Sequence, residues 1–126
     1  MVMTAKVLIV DDQEQIRRLV AGILKGEYEV LEARSGEEAL QVTREHMPDL
    51  VIMDVLMSGM DGLTACSQIK SNPTTSSIPV LVLTIIDHEL NRRFAENLGV
   101  DGYITKPFTP EELRTKIAEY LKPATA

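Results

Sequence analysis

Leu50-Val51-Ile52-Met53-Asp54 decides the fold: apolar side chains in unbroken succession, closed by a carboxylate. A strand with one face in water alternates apolar and polar residues, whereas a strand covered on both faces does not. Two more stretches have this form, Val7-Leu8-Ile9-Val10 before Asp11-Asp12 and Val80-Leu81-Val82-Leu83 before Thr84. Weaker runs stand at Val30-Leu31 and at Gly102-Tyr103-Ile104-Thr105, the latter followed by Lys106-Pro107.

Between the runs the apolar period becomes helical. Ile16, Leu19, Val20, Ile23 and Leu24 form one stripe. Ser35, with Glu38 three residues on, forms a capping box ahead of an inward face of Ala39, Leu40 and Thr43. Leu63, Cys66 and Ile69 suggest a third helix, and Leu90, Phe94, Ala95 and Leu98 a fourth with the weakest stripe. Thr109 as N-cap, Pro110 in the first helical position and Glu112 open a fifth, which carries Leu113, Ile117, Tyr120 and Leu121. Each connection is long enough for a crossover helix, so the strands are predicted to be parallel in an α/β sandwich.

Length and composition fit one such domain over residues 1–126, with its core at about 6–121 and residues 122–126 as a tail or the start of a linker. A net charge of −6 with no basic run argues against direct contact with nucleic acid. The single cysteine, Cys66, allows neither an internal disulfide nor a thiolate metal site. There is no apolar stretch of the ~20 residues a membrane span needs, and no signal-peptide core. These readings predict a cytoplasmic protein with no membrane partner.

In a parallel sheet, sites form at the carboxyl ends of the strands. The residues that end the apolar runs are Asp11-Asp12, Asp54, Thr84 and Lys106, so three carboxylates, a hydroxyl and an ammonium are predicted to meet on one edge. An acidic pair ahead of a helix can serve merely as its N-terminal cap. A further Asp ending a neighbouring buried strand favours a shared cation instead: close carboxylates repel, and a hard divalent ion such as Mg²⁺ (or Mn²⁺) takes oxygen ligands. A cation, an ammonium and a hydroxyl around a carboxylate are the parts of phosphoryl transfer, and a carboxylate can itself be the nucleophile.

These residues, in order and at these spacings, resemble the receiver domains of two-component response regulators. The likeness covers about residues 6–121 and rests on Asp11-Asp12, on Asp54-Val-Leu-Met-Ser-Gly-Met-Asp-Gly62, on Thr84, and on Leu98-Gly-Val-Asp-Gly-Tyr-Ile-Thr-Lys-Pro-Phe108. It implies a flavodoxin-like (βα)5 three-layer sandwich with strand order 2-1-3-4-5. It makes Asp54 the phosphoacceptor, Asp12 a direct and Asp11 a water-mediated Mg²⁺ ligand, and Asp54 and the backbone carbonyl of Leu56 the remaining protein ligands. Lys106 would pair with the phosphoryl group, and its bond to Pro107 is expected to be cis. Thr84 and Tyr103 take the places of a switch pair that moves a surface made of the fourth helix, fifth strand and fifth helix. The implied donor is a sensor histidine kinase or a histidine phosphotransfer protein, and the output is an unidentified downstream protein or effector domain. Such a chain is a switch, not an enzyme, since it catalyses only its own phosphorylation and dephosphorylation.

Ser58 and Ile85 depart from the commoner Pro and small residue of the family at those positions. Leu56 and Ile86 are apolar and cannot position an attacking water, which implies slow autodephosphorylation. The main alternative is a receiver-like protein-binding module that works without phosphorylation, although such chains usually lose a site residue and this one keeps them. A haloacid-dehalogenase-type phosphatase would want a second Asp where Leu56 stands, and a flavin would want a phosphate-binding loop where Asp11-Asp12 stands.

Overall fold

The computed structural model describes residues 4–55, 62–84 and 99–124, apart from the Thr84 side chain. The expected fourth helix and Leu56, Ser58, Ile85 and Ile86 lie outside the described residues. Along the chain come β1 (Lys6–Val10), α1 (Glu14–Leu24), β2 (Glu29–Ala33), α2 (Gly36–His46), β3 (Leu50–Asp54), α3 (Gly62–Ser71), β4 (Val80–Thr84), β5 (Gly102–Thr105) and α4 (Pro110–Ala118). The label α4 here denotes the helix that the sequence announces with Thr109-Pro110.

All the strands pair in parallel, in the order β2-β1-β3-β4-β5. The unbroken apolar runs are the interior strands β1, β3 and β4, and the weaker runs β2 and β5 are the edges. Side chains alternate across the sheet and sort into two cores. Val7, Ile9, Leu50, Ile52, Leu81 and Leu83 face α1 and α4, where they meet Val20, Leu24, Leu113 and Ile117. Leu8, Val10, Val51, Met53, Val80 and Val82 face α2 and α3, where they meet Ala39, Leu40, Cys66 and Ile69. Helix, sheet and helix thus make three layers. Each fully buried Leu or Ile contributes about 2 kcal/mol by leaving water.

The caps follow the sequence. Ser35 Oγ accepts from the Glu38 amide at 3.1 Å, and Thr109 Oγ1 accepts from the Glu112 amide at 3.1 Å. In α1 the apolar stripe is corrected: Leu19 is 48% exposed, while Arg17 is buried with Val20, Ile23 and Leu24. Position 17 lies three and seven residues from Val20 and Leu24, so it shares their face, whereas position 19 lies toward its border.

Polar bonds tie the ends of the elements. Asp101 accepts from Lys70 Nζ at 3.1 Å and from the Val80 amide at 2.8 Å, which joins α3, β4 and the start of β5. At the amino end of the sheet, the Ala124 amide donates to the Glu27 carbonyl at 2.8 Å, and Arg114 pairs with Glu27 at 3.3 Å. These bonds hold the last described residues against the turn between α1 and β2.

Candidate functional site

β1 lies between β2 and β3, so the chain leaves β1 toward one side of the sheet and has β3 on the other. A crevice opens at such a reversal, at the carboxyl ends of the strands. Val10 pairs with Met53, which sets Asp11 and Asp54 side by side at the carboxyl edge. Asp54 continues the alternation of Leu50 and Ile52, so it shares the side of the sheet that carries α1 and α4.

Asp11 has no exposed surface and Asp54 is 5% exposed, while Asp12 is open to solvent. One carboxylate oxygen from each lies within 4.8 Å of the others. Lys106, just after β5, reaches across the end of β4: its Nζ stands 2.9 Å from Asp11 Oδ2 and 3.5 Å from Asp54 Oδ2. The Lys106–Pro107 peptide bond is cis. Three carboxylates against one ammonium leave an excess of two negative charges, with Asp11 and Asp54 buried and Asp12 facing solvent. That excess, on oxygen donors alone, fits a hard divalent cation.

Both carboxylate oxygens of Asp11 accept hydrogen bonds. Its Oδ1 accepts from the Gln13 amide at 2.9 Å and its Oδ2 from Lys106. Gln13 is the N-cap of α1 and makes no side-chain cap bond of its own. The Asp11 amide donates to the Ala33 carbonyl at 3.1 Å, and the Asp11 carbonyl accepts from Arg17 Nη1 at 2.8 Å. Arg17 Nε pairs in turn with Glu32 on β2 at 3.1 Å.

Of the residues singled out in the sequence, Asp11, Asp12, Asp54 and Lys106 come together here. Thr84 ends β4 opposite Thr105, with its side chain outside the described residues, as is Leu56. Tyr103, on β5, is half-buried against the core on the α2–α3 side. Three features were not anticipated. Arg17 braces the acidic loop, and its only trace in the sequence is a charged residue inside an apolar stripe. Gly62 begins α3 so close to β3 that an added Cβ would overlap the Asp54 carbonyl oxygen and stand 2.8 Å from Val55 Cα. Beside Lys106, an open and mainly apolar hollow is lined by Ile16, Leu19, Pro107 and Phe108.

Among the described residues no helix is long and apolar enough to cross a membrane. The family model described as the response regulator receiver domain matches residues 7–118. The alkaline phosphatase synthesis transcriptional regulatory protein PhoP of Bacillus subtilis is 36% identical over 121 residues, which are 95% of this chain and 50% of PhoP. Histidine kinase P4 of Formosa agariphila is 38% identical over 116 residues, 92% of this chain and 8% of that protein. The chain thus spans half or less of the length of these relatives. Vibrio cholerae chemotaxis protein CheY4 superimposes with a TM-score of 0.90 at 32% identity, covering 94% of this chain and 100% of CheY4. The matched span runs from β1 to the end of α4 and takes in the whole acidic pocket with its lysine; this flavodoxin-like chain belongs to the response regulator receiver domain family, the signalling switches of two-component systems.

Proposed function

We propose that this chain accepts a phosphoryl group on Asp54 in a Mg²⁺-dependent reaction and passes the change to a protein partner. The observation that supports this best is the Lys106 ammonium placed 2.9 Å from Asp11 and 3.5 Å from Asp54 in an otherwise acidic pocket. Asp12 and Asp54, with the Leu56 carbonyl, would hold the ion, and Asp11, whose oxygens already accept hydrogen bonds, would act through water. When bound, the ion would neutralise charge on the phosphoryl oxygens.

The chain's own residues do the rest. An Asp54 oxygen attacks phosphorus, a P–O bond forms as the P–N bond of a donor phosphohistidine breaks, and the leaving imidazole takes up a proton. Lys106, now between Asp11 and Asp54, shifts its pairing to a phosphoryl oxygen. The donor is a sensor histidine kinase or a histidine phosphotransfer protein. The apolar hollow of Ile16, Leu19, Pro107 and Phe108 next to Lys106 supports its docking there, because a protein partner covers such side chains. The added charge draws Thr84 toward the phosphate, Tyr103 follows, and the face formed by β5, α4 and the fourth helix expected from sequence changes its partner. The domain would act in the cytoplasm, without direct contact to nucleic acid or membrane.

Acetyl phosphate is the direct test, read by intact mass with Mg²⁺ present. The wild-type chain is expected to gain one phosphoryl group, and Asp54→Asn or a chelator is expected to prevent it. A wild-type chain that stays unmodified and also fails to bind beryllofluoride overturns the reading.

A further inference from the structure

Arg17 is 8% exposed and sits in the apolar face of α1. Burying a guanidinium costs several kcal/mol unless each donor finds a partner. Packing alone is better served there by a leucine, so the partners explain the residue. Nη1 donates to the Asp11 carbonyl at 2.8 Å, and Nε donates to Glu32 Oε1 at 3.1 Å.

The Asp11 carbonyl belongs to the peptide that joins Asp11 to Asp12. Holding that oxygen fixes the plane of the peptide, and with it the direction in which both carboxylates leave the backbone. The Asp11 amide is held by the Ala33 carbonyl at 3.1 Å. Both clamps therefore refer the acidic pair to the end of β2, one directly and one through the Arg17–Glu32 pair. Only a guanidinium has the rigid fork to bridge two acceptors in this way, and a lysine ammonium is a point charge.

We propose that Arg17 is a positioning residue for the divalent cation, acting through the Asp11–Asp12 peptide without touching the ion. The inference rests on the cation-dependent reading above. Two opposed effects decide its sign. A cation near the pocket weakens binding of a second cation, but Glu32 pairs with Arg17 and offsets its charge. Orientation of the ligands is then the larger effect, and losing partners that orient metal ligands costs about 10–100-fold in affinity.

The test titrates the full chain with Mn²⁺, follows the free ion by electron paramagnetic resonance, and checks competition by Mg²⁺. The wild type, Arg17→Lys and Arg17→Met are compared, with urea midpoints measured in parallel. Both variants are expected to bind Mn²⁺ about tenfold more weakly per folded molecule. Arg17→Lys keeps the charge and the aliphatic stem, and it decides the matter should Arg17→Met not fold. Tighter binding by Arg17→Met with unchanged binding by Arg17→Lys would show a charge effect and overturn the proposal. A lower urea midpoint with unchanged affinity would show a purely structural role and overturn it too. A wild type that takes up no Mn²⁺ defeats the cation reading itself, whereas a wild type that binds with variants equal to it defeats only the role of Arg17.

Discussion

Tyr28 follows the turn after α1 and is 6% exposed. Burial pushes its phenol above the ordinary value of 10.0, and the neighbouring Glu27 carboxylate adds to the shift. The fold therefore favours the neutral phenol. This contribution to stability is fully present below the unfolded value of 10.0, and it is lost as pH rises past that value toward the raised folded one. Tyr28→Phe has nothing to ionise there, so between about pH 8 and pH 11 its urea midpoint is expected to fall less than that of the wild type. Residue identities in the pocket were legible because Asp54 and Lys106 each end an apolar run. Arg17 was not, because an arginine on a helix is read as solvated until its acceptors are seen.

The elements were read well where one physical signal dominated. Unbroken runs gave β1, β3 and β4, and the caps at Ser35 and Thr109 gave the starts of α2 and α4. The border of the α1 stripe was harder: Leu19 and Arg17 are both near it, and hydrophobicity alone favours the wrong one. The start of α3 depends on a close approach that no periodicity encodes. An alanine at position 62 would drive its Cβ into the backbone of Asp54 and Val55, which cannot rotate aside. Gly62→Ala is expected to cost about 2–3 kcal/mol, read from the urea midpoint, because overpacking against backbone has no easy relief. The same variant should react more slowly with acetyl phosphate, since the end of β3 would have to move.

Across the whole molecule, the parallel α/β class followed from the run-and-helix alternation, but the order β2-β1-β3-β4-β5 did not. Periodicity shows which residues are buried and is silent on which strands are neighbours; the order came from the family resemblance. The pocket draws on both β1 and β3 and on the residue after β5, so an ion bound there links most of the sheet. Such an ion would bind only the folded chain, and a ligand at a hundred times its Kd adds about 2.7 kcal/mol. Mg²⁺ is therefore expected to raise the thermal midpoint of the wild type, a chelator to reverse this, and NaCl at matched ionic strength to leave it lower. The bond from the Ala124 amide to the Glu27 carbonyl has a practical outcome for those who would tag this protein. It anchors residue 124 at the opposite rim of the sheet from Asp54, a strand's length away, roughly 17 Å. A fluorophore or fused reporter attached past residue 124 would leave the approach to the phosphoacceptor clear for a bulky kinase.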